Sequence, residues 1–302
     1  MNNLKEKLDQ ILDKGRVLVD EPMMKHTTFR VGGPADYFVI PTSADEVKNV
    51  ISLCKEEDVP YTIIGNGSNL LVGDKGIRGV VVQLFKSMNQ MELNGNVIKA
   101  QAGCSLAQIA NAAAAASLTG FEFAAGIPGT LGGAVVMNAG AYGGEMKDVL
   151  VSATVLDEEG NVETLSAEEL ELGYRRSIFN KKNYILLDAT MELKEGNEEE
   201  IRAYMMDLRQ RRVDKQPLEF PSAGSTFKRP EGYFAGKLIQ DAGLAGFTVG
   251  GAQVSAKHCG FVINAGGATA ADIVELMKQV SDKVEELNGI PLEAEVKMVG
   301  EF

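Results

Sequence analysis

Cysteine and histidine are scarce in this chain, which limits the metal and redox chemistry that its side chains could support. The three cysteines, Cys54, Cys104 and Cys259, lie far apart and form no CxxC pair, so neither a disulfide framework nor a thiolate zinc site is predicted. The two histidines, His26 and His258, are too few for a His-rich metal site. We therefore predict no metal site and expect any redox chemistry to come from a bound organic cofactor.

Long apolar runs and a surplus of positive charge are also missing. No segment approaches the roughly 18 apolar residues of a membrane span. The first residues, MNNLKEKLDQILDKG, alternate charged and apolar positions at helical spacing, unlike a signal peptide. We therefore expect a cytoplasmic protein without membrane insertion. The net charge of −12 argues against a nucleic-acid partner, because phosphate backbones are held by excess Lys and Arg.

One basic cluster departs from this acidic average. Arg209, Arg211, Arg212 and Lys215 fall within seven positions of each other. Such a cluster in an acidic protein could hold a small phosphorylated ligand, or it could be a solvated helix face. Composition leaves both interpretations open.

The chain is long enough for more than one domain. With 302 residues, 45% of them hydrophobic, it can bury a sizeable core. Ser43 is predicted to start a helix, with Glu46 completing a capping box. The polar segment 196–201 indicates a domain boundary. The predicted first domain is 1–195, with lobes of about 1–92 and 93–195, and the predicted second domain is 196–302. Hydrophobic patterns predict helices at 4–12, 106–117, 198–212 and 270–287, and strands at 37–40, 61–64, 80–84, 97–102, 152–156, 185–191 and 261–263.

A first glycine-rich loop follows the predicted strand 61–64, in the sequence YTIIGNGSNLLV. Glycines allow consecutive backbone N–H groups to face a phosphate. The loop is not a Rossmann fingerprint, because Leu70 occupies the third glycine position, and the chain contains no GxxxxGK phosphate loop. Taken alone, it fits an ordinary tight turn as well as a ligand loop.

A second loop, 126–143, is denser in glycine: GIPGTLGGAVVMNAGAYG. Because each glycine costs backbone entropy on folding, this density indicates a requirement such as close approach of a large planar or phosphorylated ligand. Together the two loops could hold both ends of a dinucleotide.

These loops, together with TTFRVGGPAD at 27–36, resemble the FAD-binding domain of the UDP-N-acetylenolpyruvoylglucosamine reductase family, within the wider vanillyl-alcohol-oxidase-like (PCMH) flavoproteins. The resemblance spans nearly the whole chain. It implies an α+β fold, in which a two-lobed FAD-binding domain precedes a smaller α+β substrate-binding domain, and it implies FAD as cofactor. The cofactor-binding positions it implies are Ile64, Gly65, Asn66, Gly67, Ser68, Asn69, Leu70, Ile127, Pro128, Gly129, Thr130, Gly132, Gly133, Ala134, Asn138 and Gly140.

Three further motifs carry the catalytic part of the resemblance: GYRRSIF, SAGSTFKRP and LEAEVKMVG. By their positions in these motifs, Arg175 resembles the catalytic arginine, Ser225 the proton donor and Glu295 the catalytic carboxylate. Neighbouring motif positions imply substrate contacts at Tyr174, Lys215 and Arg229.

The activity implied by the resemblance is that of a UDP-N-acetylmuramate dehydrogenase. NADPH would be the co-substrate, and FAD would mediate reduction of UDP-N-acetylglucosamine enolpyruvate to UDP-N-acetylmuramate in peptidoglycan precursor synthesis, and so in cell-wall biogenesis. A hydride would reach the enolpyruvyl methylene carbon, followed by a proton from Ser225. The short span between Arg175 and Lys215 resembles the family's shorter form, which lacks an extra substrate-binding loop, and a monomer is expected.

Two rival interpretations come from other classes of protein. Ser225-Thr-Phe-Lys228 fits the SxxK pattern of serine acyl-enzymes, but the chain has neither an SDN nor a KTG partner motif. A non-catalytic flavin or nucleotide-binding module is the second. Flavin absorption would exclude the acyl-enzyme, and bleaching by NADPH followed by reoxidation with substrate would exclude the passive binder.

Overall fold

A computed structural model of the chain describes residues 2–302, with side chains from residue 4 onwards. Its helices are α1 (Asn2–Ile11), α2 (Ala44–Glu56), α3 (Leu106–Ala115), α4 (Leu131–Val136), α5 (Glu198–Lys215), α6 (Ala235–Asp241) and α7 (Ala270–Asn288). Its strands are β1 (Val17–Pro22), β2 (Pro34–Val39), β3 (Tyr61–Ile64), β4 (Leu70–Val72), β5 (Ile77–Gln83), β6 (Met91–Asn94), β7 (Val97–Gln101), β8 (Leu118–Thr119), β9 (Gly140–Ala141), β10 (Gly144–Glu145), β11 (Leu150–Leu156), β12 (Val162–Ser166), β13 (Ile185–Glu192), β14 (Lys194–Glu195), β15 (Thr248–Val249), β16 (Ala252–Val254), β17 (Val262–Asn264) and β18 (Lys297–Val299). Short 3₁₀ helices occur at Met23–Lys25, Glu122–Ala124, Met146–Asp148 and Ile178–Asn180.

The chain forms two compact units that interleave in sequence. Among the described residues, unit 1 contains 2–18, Tyr37–Asn66 and Gly79–Arg212, and unit 2 contains Val19–Asp36, Gly67–Arg78 and Val213–Phe302. Both units mix helices and strands, so the predicted α+β class is confirmed. The domain division at 196 stays a prediction.

Unit 1 contains a five-stranded antiparallel sheet in the order β12-β11-β13-β7-β6. A second sheet has the order β1-β2-β5-β3, and its strands β3 and β5 run parallel. The core of unit 1 includes residues from α2, α3, β7 and β13, such as Val47, Ile109, Ile98 and Leu187. Strand β3 ends at the buried Ile64, which pairs with Gln83 of β5, and the first glycine loop begins there.

Unit 2 is built around α7, which packs against the three-stranded sheet β15-β16-β17. Thr269 caps the helix and forms a capping box with Asp272, while Gly289 ends it with a left-handed φ of +67°. The buried stripe Ile273, Leu276, Val280 and Val284 follows helical spacing. In the same unit β18 pairs in parallel with β4, directly after the first glycine loop.

The start of α2 differs in detail from the predicted capping box. Ser43 does cap the helix, accepting from the N–H of Glu46. The Glu46 carboxylate, however, accepts from the N–H of Thr42 at 2.7 Å, one residue before the position that a capping box uses. The reason is Arg16, whose two terminal nitrogens hold both Glu46 oxygens at 2.6 and 2.7 Å.

Within residues 2–302, no helix combines the length and the apolar character needed to cross a membrane.

Candidate active site

The first glycine loop leaves β3 at the buried Ile64 and contacts the second loop within unit 1. Asn66 Nδ2 donates to the carbonyl of Pro128 at 2.7 Å. A side chain at Gly65 would collide with Thr130 Oγ1. Glycine is therefore required at 65 so that the two loops can approach each other, which is the juxtaposition predicted for a dinucleotide site.

The second loop is fixed to the end of β7 and the start of α3. Gly129 accepts from the N–H of Leu106, and Gly132 donates to the carbonyl of Ala102. Thr130 caps α4 through the N–H of Gly133. Apart from its chain neighbours and the backbone of its own helix, the described atom nearest to a Cβ added at the exposed Gly133 would be Thr130 Oγ1, at 3.8 Å. The second loop therefore leaves room for a ligand at Gly133.

The glycines of this loop do not all serve the same purpose. A Cβ at Gly132 would lie 3.1 Å from the carbonyl of Ala102, and one at Gly140 would lie 2.8 Å from Glu145 Cβ. At Gly132 and Gly140, glycine is therefore needed because other parts of the protein pack closely there. This accounts for part of the glycine content of the second loop, which we attributed to a ligand on the basis of the sequence. Ala134 is buried in the hydrophobic core of unit 1, and the partly buried Ile127 packs against that core. Pro128 is exposed.

Arg175 lies in a two-residue turn that Gly173 and Arg176 close. The N–H of each of these two residues donates to the carbonyl of the other, at 3.0 and 3.1 Å. Arg175 adopts a φ of +53°, a left-handed conformation that costs a non-glycine residue about 1–2 kcal/mol. Its guanidinium carbon lies 5.2 Å from the centre of the Tyr174 ring. An arginine in a position suited to glycine is a functional signal, since strained residues cluster at active sites.

Asn138 connects this turn to the second glycine loop. Its buried side chain donates from Nδ2 to the carbonyl of Gly173 at 3.1 Å. Ser177 Oγ makes a second link, donating to the carbonyl of Val136 at 2.7 Å. Unit 1 therefore brings the predicted catalytic arginine and the predicted cofactor loops into one connected structure.

The sequence predicted one basic cluster, and we did not expect Arg212 to lie in different surroundings from Arg211. Arg211 is exposed and pairs with Asp207 at 2.7 Å, as expected of a solvated helix face. Arg212 instead lies beside the second loop: a Cβ added at Gly126 would be 3.3 Å from its Nη1. Burial lowers the pKa of Arg212, although an arginine remains charged. The missed signal was helical spacing, since Arg212 follows the buried Leu208 by one turn.

The rest of the first glycine loop belongs to unit 2. Gly67 has a φ of +63°, and a Cβ there would collide with the carbonyl of His26. Asn69 Nδ2 donates to the carbonyl of Glu295 at 3.1 Å, and the carbonyl of Asn69 accepts from the N–H of Lys297. Ser68 is half-buried, and Leu70 opens β4, where it pairs with Lys297. The predicted cofactor residue Asn69 is thus tied to the backbone of Glu295, the predicted catalytic residue.

Ser225 and Glu295 are carried by two segments that pair in unit 2. Phe227 and Ala294 form an antiparallel bridge, and the N–H of Glu295 donates to the carbonyl of Thr226 at 2.8 Å. The fully buried Thr226 also accepts on its hydroxyl from the N–H of Val262 at 2.9 Å. Ser225, next to this anchor, is exposed, while Glu295 is half-buried. The structure therefore places an exposed serine and a half-buried glutamate on two segments whose backbones pair.

The predicted substrate contacts are accessible. Tyr174 is 54% exposed, and Lys215 is the exposed last residue of α5. Arg229 is exposed, with its guanidinium carbon 4.2 Å from the centre of the Phe234 ring. Their substrate-binding roles stay predictions.

The rival SxxK interpretation finds no support in the geometry. The Lys228 ammonium forms an ion pair with the Glu293 carboxylate, whereas an acyl-enzyme needs this lysine as a base. All three cysteines are buried free thiols, and burial raises the pKa of Cys54 to about 11. In the described part of the chain, no group of three His, Cys, Asp or Glu side chains could hold a metal ion.

The residues present fit a bound FAD. Thr28 Oγ1 is buried and has no hydrogen-bond partner among the described residues, and the N–H of the same residue donates to the carbonyl of Gly67 in the first loop. A buried hydroxyl without a partner is uncommon in proteins and suggests a missing ligand. Within unit 1, the open space at Gly133 and the cation of Arg212 beside the second loop suit a diphosphate-bearing cofactor.

Comparison with known proteins agrees with this fit. Residues 35–166 match the family model of an FAD binding domain, and residues 216–299 match that of the UDP-N-acetylenolpyruvoylglucosamine reductase C-terminal domain. The UDP-N-acetylenolpyruvoylglucosamine reductase of Agathobacter rectalis is 57% identical over 298 residues, which cover 95% of each chain.

Solved structures show the same relationship. The reductase of Thermus caldophilus is 36% identical, with a TM-score of 0.81, and the match covers 94% of this chain and 98% of that one. An alkyldihydroxyacetonephosphate synthase, 17% identical with a TM-score of 0.51 over 65% of this chain and 40% of its own, shares the fold alone. This chain therefore belongs to the UDP-N-acetylenolpyruvoylglucosamine reductase family and is an FAD-dependent oxidoreductase.

Proposed function

We propose that this enzyme acts in the cytoplasm and reduces the enolpyruvyl ether of UDP-N-acetylglucosamine enolpyruvate to the lactyl ether of UDP-N-acetylmuramate, with NADPH as reductant. The observation that carries the proposal is the pairing of the Ser225 and Glu295 segments beside Asn69 of a cofactor loop. NADPH is the standard co-substrate of this family. When bound, FAD supplies the redox chemistry by passing a hydride equivalent from NADPH to the enolpyruvyl methylene carbon.

Arg175 is proposed to stabilise the charge that develops on the substrate. Addition of hydride to the methylene carbon moves an electron pair onto the adjacent carboxylate, which gives an enolate-like dianion. A guanidinium can bind such a carboxylate through two parallel hydrogen bonds. Its contribution is greatest where water is excluded and the charge is fixed in advance.

Glu295 is proposed to assist Arg175. In its protonated form it donates a hydrogen bond to the same developing charge. Its backbone is fixed on both sides, by Thr226 and by Asn69, so the carboxyl group starts from a defined position.

Ser225 is proposed to complete the reaction by protonating the ether-bearing carbon. A serine hydroxyl is a weak acid in water, but the enolate is a strong base and the hydroxyl is held in place by the neighbouring Thr226. The C–H bond forms as the O–H bond breaks, and solvent then reprotonates the serine oxygen.

The test separates the two half-reactions in Ser225→Ala. Reduction of the enzyme-bound FAD by NADPH should keep its wild-type rate. Reoxidation by UDP-N-acetylglucosamine enolpyruvate, followed anaerobically by stopped-flow absorbance, should slow about 10³-fold, because a positioned acid contributes about 10²–10⁴ in rate.

Ser222→Ala is the matched control, since it removes a hydroxyl from the same motif three residues earlier. It should leave both half-reactions near wild type. An unchanged reoxidation rate in Ser225→Ala would contradict the assignment of this serine.

A further inference from the structure

Asn138 is a buried polar residue at the end of a cofactor loop. It follows the C-terminal end of α4, is only 1% exposed and has a φ of +41°. Asparagine tolerates this left-handed conformation better than most residues do. The burial of its amide requires that its hydrogen bonds be made within the protein.

The side-chain amide of Asn138 makes three hydrogen bonds. Nδ2 donates to Glu145 Oε2 at 2.7 Å and to the carbonyl of Gly173 at 3.1 Å. Oδ1 accepts from the N–H of Lys147 at 2.9 Å. Because an amide nitrogen has two protons, both Nδ2 donors are used within the protein, and the cofactor contact that the resemblance implies for Asn138 does not come from them.

The bond to Gly173 reaches the base of the Arg175 turn. The carbonyl of Gly173 already accepts from the N–H of Arg176, so the amide of Asn138 is its second donor. This link fixes the turn at the bridge between Gly173 and Arg176. Arg175, two residues after Gly173, has a strained backbone, so the turn depends on contacts with the surrounding protein to keep its conformation.

We propose that Asn138 is a positioning residue that sets the direction of the Arg175 guanidinium by clamping the carbonyl of Gly173. The proposal rests on the proposed function, in which Arg175 binds the substrate carboxylate. Asn138 then ties the alignment of that arginine to the loop that is predicted to hold FAD.

A double-mutant cycle tests this link. Asn138→Ala in the wild-type background should slow reoxidation of the reduced enzyme by UDP-N-acetylglucosamine enolpyruvate about tenfold, while FAD content and the rate of reduction by NADPH stay within about twofold. In the Arg175→Ala background the same substitution should cause no further slowing, since residues that act through one another are not additive. A merely structural role would slow both backgrounds equally, and that result would overturn the proposal.

Asn96→Ala is the matched control. The Asn96 amide also donates to a backbone carbonyl of unit 1, that of Leu193 at 3.0 Å, but does not touch the Arg175 turn. It should leave reoxidation near wild type. If Asn138→Ala does not fold, Asn138→Gly removes the same hydrogen bonds in a residue that suits the φ of +41°, and the same cycle applies.

Hydrogen exchange of the FAD-bound enzyme gives a readout that does not depend on turnover. The N–H of Arg176 should exchange faster in the Asn138 variants than in Asn96→Ala, because the turn has lost its second donor. Unchanged exchange would overturn the proposal. If wild-type enzyme reduced by NADPH were not reoxidised by the enolpyruvyl substrate, the proposed function itself would fail. Faster exchange at Arg176 in the Asn138 variants would even then support the link between Asn138 and the turn, so the two failures can be distinguished.

Discussion

Arg175 combines a strained backbone with the cationic side chain that the proposed function uses. Its φ of +53° suits glycine, yet the position holds a large cation next to an exposed tyrosine. Selection for stability alone would favour glycine in such a turn. The arginine is therefore better explained by the proposed role at the substrate carboxylate.

This conflict predicts opposite effects on stability and activity. Arg175→Gly and Arg175→Ala both remove the guanidinium, and both should slow reoxidation by the enolpyruvyl substrate. In chemical denaturation, however, the glycine variant should be more stable than the alanine variant by about 1 kcal/mol, because only alanine keeps the cost of the left-handed backbone. If the alanine variant were as stable as the glycine variant, the backbone at residue 175 would not be strained. If either variant kept the wild-type rate of reoxidation, the proposed role of Arg175 at the substrate carboxylate would be wrong.

Thr28 and Arg212 show what sequence patterns could not supply at this scale. The unpartnered Thr28 hydroxyl and the burial of one arginine out of a basic cluster are consequences of tertiary packing. The types of these residues were visible in the sequence. Their surroundings were not, because neighbours distant in the chain determine them.

At the scale of elements, the start of α2 depends on an ion pair. Arg16 binds the Glu46 carboxylate through two nitrogens, and both side chains are largely shielded from water. The hydrogen bond from Arg16 is the main cause that lowers the pKa of Glu46 to about 2, and the N–H of Thr42 adds to it.

The pH dependence follows from this lowered pKa. A carboxylate with a depressed pKa stabilises the fold above its unfolded value of about 4.5, and this stabilisation is lost as pH falls towards about 2. Arg16→Met should lower the free energy of unfolding by about 1–2 kcal/mol near neutral pH and by less near about pH 3. The control, Lys5→Met, breaks the exposed Lys5–Asp9 pair and should change stability by no more than about 0.5 kcal/mol. Chemical denaturation at both pH values measures the free energy of unfolding of each variant. Equal losses of stability in Arg16→Met and Lys5→Met would contradict the prediction.

Local patterns predicted some elements well and could not predict others. Strand β3 begins and ends where its short β-branched run predicted, and α7 ends one residue later than predicted. The pairing of β4 with β18 and the bridge between Phe227 and Ala294 join distant parts of the chain. Segments this short carry no periodic signal, and their partners are set by tertiary context. For this reason the sequence could name Ser225 and Glu295 by resemblance but could not bring them together.

At the scale of the whole molecule, each unit gathers its own set of site residues. Unit 1 joins the loops at Gly65 and Thr130 to the Arg175 turn through Asn138. Unit 2 joins Asn69 to Glu295, and Glu295 to the Ser225 segment. Both units also contain part of the first glycine loop, which passes from one to the other between Asn66 and Gly67.

The central claim is that electrons pass from NADPH through bound FAD to the enolpyruvyl substrate. The most direct measurement mixes the purified, FAD-bound enzyme with one equivalent of NADPH without oxygen, and then adds UDP-N-acetylglucosamine enolpyruvate. The account predicts that the visible flavin absorbance bleaches with NADPH, returns with the substrate, and is accompanied by a product two hydrogens heavier. Flavin that stays bleached in the presence of the substrate would contradict it.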